Sequence, residues 1–254
     1  MEPVFYTLER LVKAAVRVNG IRITYHGLEN IPARGGAVVA INHTSYVDWL
    51  PAALAAYYRG RRLRFMIKEE MQRVKVVNFL ISRTGTIPVD RDAGAGAYAV
   101  AVERLRAGEL VAVYPEATIS RSFELKEFKT GAARMAREAG VPIVPLIVWG
   151  AQRLWTKDHP RRLWGRRGGG KMPITVEVGR PLQAGDSTEQ TSQRLRAAMT
   201  GLLDSAQRDY PRPPRAFWLP RRLGGGAPSV DEARALDEAE LAERARMRAA
   251  RSRR

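Results

Sequence analysis

A chain of 254 residues, 45% hydrophobic and 7% aromatic, is long enough to bury one large core or two small ones and too apolar to be disordered over most of its length. It contains no cysteine, which excludes disulfides, thiolate metal sites and cysteine nucleophiles. Its net charge of +17 points to an anionic partner (nucleic acid, a phospholipid surface or phosphorylated substrates) unless it reflects only an Arg- and Ala-rich composition.

The first segment, VFYTLERLVKAAVRV (4–18), repeats apolar residues at Val4, Phe5, Leu8, Leu11, Val12, Ala15 and Val16, a helical period that Glu9 and Lys13 reinforce. Arg10, Lys13 and Arg17 fall on its polar side, so this amphipathic helix either lies in a bilayer interface or packs on the core. IRITYHG (21–27) alternates like a strand, and AVVAI (37–41) reads as a fully buried one. A helix is predicted over 48–58. Strands follow at 63–67, 86–89, 110–114, 142–148 and 173–179, and helices at 92–106 and 129–139. Such alternation predicts an α/β fold with a mainly parallel or mixed central sheet flanked by helices. Functional groups gather beyond the carboxyl ends of strands in such sheets, and His43 stands at one.

Residues 188–208 form another amphipathic helix. YPRPPRAFWLPRRLGGGAPS (210–229) then breaks all periodicity and reads as a linker or extended arm. Ser229 and Glu232 make a capping box that opens a charged helix over 230–250, expected to be exposed. The chain is expected to divide into an N-terminal amphipathic, membrane-associating helix (1–19), an α/β domain (20–209) and a C-terminal arm and helix (210–254). The longest apolar run, 141–151, holds two prolines and falls short of the roughly 18–20 residues a spanning helix needs. The N-terminus lacks the apolar core of a signal peptide. A membrane, if met, is met at its surface.

The polar break NHTSYVDW (42–49) after the buried strand carries the chemistry. On a regular helix a five-residue separation turns about 500°, so His43 and Asp48 would diverge by about 140°. They meet only if His43 lies in the loop and Asp48 in the first turn of the helix, with Thr44 and Ser45 available as caps. An Asp on one imidazole nitrogen fixes the tautomer and leaves the other nitrogen as a general base. The alternative for so short a pattern is a capping Asp beside a His bonded to backbone. His26 and His159 are expected to be structural or surface residues.

NHTSYVDW is one of an ordered series of blocks. GLENIP (27–32) lies upstream, and KEEM (68–71), GTIPVDR (85–91), YPEATISRSFELKEFKTGAARMA (114–136) and VPIVPLIV (141–148) follow at suitable spacing. Together they resemble the lysophosphatidic acid (1-acylglycerol-3-phosphate) acyltransferase family of the glycerolipid acyltransferases, over residues 20–185. The resemblance implies that His43 is the base that deprotonates an acceptor hydroxyl and that Asp48 orients it. The hydroxyl then attacks the thioester of acyl-CoA or acyl carrier protein, with no other cofactor, no metal and no acyl-enzyme. It also implies a role for Glu116 and Thr118 in acceptor binding or in organising the site, and contacts from Lys68 and Arg91 to phosphate or phosphopantetheine. Either cation is equally readable as half of a structural salt bridge.

Two departures from the family's pattern matter, beside smaller ones at Lys75 and Asn78 where a Pro and a Gly are common: its E-G-T-R is here Glu116-Ala117-Thr118-Ile119. Ile119 has no charge for an acceptor phosphate. Arg121 is the nearest replacement, unless the anionic group is held elsewhere or the acceptor is another lysolipid or a glycolipid hydroxyl. YYRGRRLRF (57–65) and RLWTKDHPRRLWGRRGGGK (153–171) interleave Arg with Tyr and Trp, which suits an anionic membrane surface, single-stranded nucleic acid, or a solvated loop with its Trp residues in the core. The expected partners are an acyl thioester, a lysophospholipid and the cytoplasmic face of the cell membrane, with no nucleic acid. A nucleic-acid-binding module, supported by charge alone, and a lipid-binding protein that has lost activity are the rivals.

Overall fold

The computed structural model describes residues 16–68, 86–89, 95–160, 171–185 and 187–252, with Arg10 and Ala14. Most of the predicted N-terminal helix, residues 69–71 of the KEEM block, Arg91 and residues 161–170 lie outside the described residues.

Among the described residues seven strands form one sheet: β1 (Ile21–His26), β2 (Ala37–Ile41), β3 (Leu63–Lys68), β4 (Ile87–Val89), β5 (Leu110–Val113), β6 (Ile143–Trp149) and β7 (Met172–Val178). Their order is β1-β7-β6-β2-β5-β3-β4. Every pairing is parallel except β6 with β7, so the sheet is mixed. The central strands β2, β5 and β6 are buried at every position, as their continuous Val, Ile, Leu and Ala runs require when both faces are covered. β1 lies at the edge and alternates between half-buried and exposed.

Helix α1 (Trp49–Tyr58) covers one face. Its Ala52, Ala55 and Ala56 meet Val39, Ile41, Leu146 and Val148 in one apolar cluster, their small side chains letting helix and sheet approach closely. The alternate residues Val38 and Ala40 are equally buried. Helices α2 (Ala95–Arg106), α3 (Gly131–Ala139) and α4 (Thr188–Arg208) complete the layer contacts, α3 on β2 and β6, and α4 on β6 and β7.

The chain splits into two compact units. The first, through Ile119 and again over Glu127–Asp209, holds the sheet and α1–α4. The second joins Ser120–Lys126 to Tyr210–Arg254. In it the expected extended arm is instead a folded segment. Tyr210, Trp218, Leu219 and Ala227 are buried, and the Tyr210 and Trp218 rings meet edge to face at 5.6 Å. The run Gly224–Gly226 makes this possible: a Cβ on Gly225 would lie 1.8 Å from the Leu219 carbonyl oxygen. Helix α5 (Val230–Ser252) opens with the reciprocal cap, the Ser229 N–H donating to Glu232 Oε2 at 2.8 Å and the Glu232 N–H donating to Ser229 Oγ at 3.2 Å.

Candidate active site

The site starts where β2 runs out. Asn42, fully buried, acts as one more strand residue with its side chain: Nδ2 donates to the Val148 carbonyl at 3.1 Å and Oδ1 accepts the Val148 N–H at 2.7 Å. This brace fixes the first residue of the loop to β6. The next residue is His43.

Asp48 gathers that loop around one oxygen. Its Oδ2 accepts the N–H of Thr44 at 2.8 Å and of Ser45 at 2.7 Å, and lies 3.3 Å from His43 Nδ1. The carboxylate only accepts, so the proton between it and the ring belongs to Nδ1 and the free lone pair to Nε2. Asp48 sits just before α1 in helical conformation, with no side-chain bond into the helix. The capping expected of Thr44 and Ser45 is thus inverted. The aspartate caps their N–H groups, and Ser45 Oγ accepts only the Val47 N–H two residues on, at 3.1 Å. Asp48 is fully buried, and its Oδ1 has no hydrogen-bond partner among the described residues. Burial pushes its carboxyl above the usual aspartate range, against the pull of His43 and the two N–H groups.

Two further groups hold His43. The buried Glu116 accepts its backbone N–H on Oε1 at 2.7 Å, tying the block over 114–136 to NHTSYVDW. Tyr114, just past the end of β5, stacks on the imidazole with ring centroids 4.0 Å apart and planes 22° from parallel. Burial and the charge of Asp48 hold the Tyr114 hydroxyl well above its ordinary pKa, so it stays protonated. The His43 side chain keeps 20% of its surface accessible.

The loop is fastened from outside by residues 151–156. Tyr46 donates its N–H to the Trp155 carbonyl at 3.1 Å, Ser45 Oγ lies 2.6 Å from the same oxygen, and Thr156 Oγ1 donates to the Thr44 carbonyl at 2.7 Å. Of these supports, Asn42, Tyr114 and Thr156 were not among the residues singled out from sequence. Asn42 was findable, since an amide directly after a buried strand can extend the ladder with both its donor and its acceptor.

Beyond Glu116 the block over 114–136 turns sharply. The Thr118 N–H donates to the Glu116 carbonyl at 2.8 Å, and Ala117 adopts φ of 60°. This is the left-handed region, where an alanine is disfavoured by about 1 kcal/mol and a glycine is not. The geometry therefore explains the resembling family's glycine at this position. Ile119 is 4% exposed, an apolar core residue rather than a truncated ligand. The phosphate role carried to Arg121 does not fit its surroundings: its guanidinium is held by Asp237 and by Glu240 at 2.8 Å, both from α5. Lys68 ends β3, and Arg91 lies outside the described residues.

Comparison with known proteins identifies the family. The sequence model of the acyltransferase family matches residues 22–149, half of the chain. The chain belongs to the acyltransferase family. The matched span holds His43, Asp48, Tyr114 and Glu116 together. This acyltransferase is 28% identical over 186 residues to the 1-acyl-sn-glycerol-3-phosphate acyltransferase of Bacillus subtilis, covering 73% of this chain and 85% of that one. The enzyme of the same name from Borreliella burgdorferi is 26% identical over 157 residues, 61% of this chain and 62% of its own. The crystal structure of the 1-acyl-sn-glycerophosphate acyltransferase PlsC of Thermotoga maritima shares the fold, with a TM-score of 0.66, 23% identity and 82% of each chain covered. No helix among the acyltransferase's described residues is long and apolar enough to cross a membrane.

Proposed function

We propose that this acyltransferase moves a fatty acyl group from a thioester, acyl-CoA or acyl carrier protein, to the free hydroxyl of lysophosphatidic acid, giving phosphatidic acid at the cytoplasmic surface of the cell membrane. The observation that carries the reading is the His43–Asp48 pair. Nδ1 is committed to a buried carboxylate at 3.3 Å, so the partly accessible ring offers Nε2 as base. Nε2 takes the hydroxyl proton as the oxygen attacks the thioester carbonyl carbon. The tetrahedral intermediate then collapses and expels the thiolate, which takes the proton back from His43. The acyl group never resides on the protein, in keeping with a chain without cysteine.

The names of the relatives support the acceptor. Ile119 keeps a second acceptor class open, another lysolipid or a glycolipid hydroxyl, because the cation of the family's pattern is absent there. Lys68 and Arg91 are the proposed holders of phosphate or phosphopantetheine, with Glu116 and Thr118 shaping the acceptor side. Incubation of the purified protein with labelled acyl-CoA and a panel of lysolipids tests both acceptors. The expected product is phosphatidic acid, and His43→Ala should lower turnover by about 10²–10⁴-fold. A folded His43→Ala protein that turns over at a near-normal rate would overturn the assignment.

A further inference from the structure

Three aromatic side chains stand exposed on or beside the loop that carries His43: Tyr46 at 44%, Trp49 at 44% and Trp155 at 36%. Tyr46 lies inside the His43–Asp48 motif, and Trp49 begins α1 one residue after Asp48. The Trp155 ring rests on that of Tyr46, with centroids 4.8 Å apart and planes at 42°. Leaving large rings in water is unfavourable, and grouping them in one place marks a contact surface. Arg153 and Lys157 flank Trp155 and supply the charge that anionic headgroups attract. Tyrosine and tryptophan, each with an apolar body and a polar edge, favour the boundary between headgroups and acyl chains.

We infer that Tyr46, Trp49 and Trp155 seat the catalytic loop in the headgroup layer of an anionic bilayer. The inference rests on the lipid acyl-transfer reading and deepens it, because it assigns the side of the first unit that meets the lipid. The hydrogen bonds from the His43 loop to residues 151–156 give the seat its consequence. Seat and base form one rigid piece, so the depth of the rings in the bilayer sets the height of His43 above it. An acceptor hydroxyl at the base of a headgroup then reaches Nε2 without its acyl chain leaving the membrane. Nucleic acid fits the same rings less well. Tyr46 and Trp155 lie against one another, 4.8 Å between centroids, and leave no slot between them for a base to stack.

The test uses the full chain with phosphatidylcholine vesicles containing phosphatidylglycerol and brominated at defined acyl depths. Tryptophan emission should be quenched most by bromines nearest the headgroups, and the Trp49→Ala, Trp155→Ala double variant should lose most of that quenching. Its partition onto vesicles should fall roughly tenfold or more. Its loss of activity should be larger on vesicle-borne acceptor than on a short-chain acceptor kept monomeric. Unchanged quenching and partition in the double variant would refute the seat. So would quenching by a single-stranded oligonucleotide with no vesicle partition. The monomeric assay keeps the two readings apart: a wild-type protein that transfers nothing there counts against acyl transfer, while the vesicle data still decide the seat.

Discussion

Tyr114 shows how one residue can govern another. Its ring lies on the face of His43, so it restricts the imidazole plane, and its π-face attracts the ring when a proton makes it an imidazolium. The hydroxyl stays neutral and is no base. Tyr114→Phe should therefore keep most of the turnover, whereas Tyr114→Leu should lower kcat about tenfold with little change in KM. Equal losses in both variants would show that the hydroxyl, not the ring, matters. Asp48 presents the opposite case, a residue whose proposed service to catalysis lowers stability. Burial raises its folded pKa above the unfolded value of about 3.9, so the folded state holds the proton more tightly. That contribution to stability is present below the unfolded pKa and is lost as pH rises through the folded one. At neutral pH the buried carboxylate is a net cost. Asp48→Asn keeps an oxygen for the Thr44 and Ser45 N–H groups and removes the charge. It should lower kcat by about 10²–10⁴-fold while melting no lower than wild type at pH 8, with an advantage that shrinks toward pH 4. A clear drop in melting temperature at pH 8 would show that the ionised carboxylate stabilises the fold.

Elements differ in how far the sequence discloses them. The sheet strands were legible because each is a short apolar or alternating run bounded by turn residues, and α5 because Ser229 and Glu232 stand at capping-box spacing. The His43–Asp48 contact was legible from the break after β2. The sense of the capping was not, since Asp, Ser and Thr can each cap or be capped and spacing does not say which turns back. Residues 210–229 were misread because irregular packing built on glycine turns has no period to detect. The place of Ser120–Lys126 in the second unit was invisible for another reason: the partners of Arg121 lie 116 and 119 residues away. That cluster carries its own prediction. The Arg121 side chain is 8% exposed and meets two carboxylates of α5. Removing both leaves a buried cation without them, the situation in which breaking a buried ion pair costs about 3–5 kcal/mol. The Asp237→Ala, Glu240→Ala double variant should therefore unfold at lower denaturant concentration. Arg121→Met in that background should recover part of the loss, since it removes the stranded charge. No recovery would mean that the carboxylates stabilise α5 by some route other than Arg121.

At the scale of the whole chain, a net charge of +17 and a set of exposed aromatic rings should make separable contributions to the proposed membrane binding. The charge acts through solvent, and its reach falls with the Debye length, from about 10 Å at 0.1 M salt to about 3 Å at 1 M. Buried apolar area is not screened. Binding by charge alone would be abolished at high salt, and binding by rings alone would be indifferent to it. With both present, vesicles containing phosphatidylglycerol should release part of the protein between 0.1 M and 1 M salt and retain the rest. Neutral vesicles should bind only the fraction that survives high salt. Deleting residues 1–18, whose apolar period offers a second lipid contact if it does not pack on the core, should shrink the retained fraction without changing the salt-sensitive one beyond the loss of their few charges. Sedimentation with vesicles at four salt concentrations measures both fractions. Complete release of the intact chain at 1 M would show that charge alone holds it. An RNA that displaces it from vesicles at matched charge would show that the basic surface is built for nucleic acid.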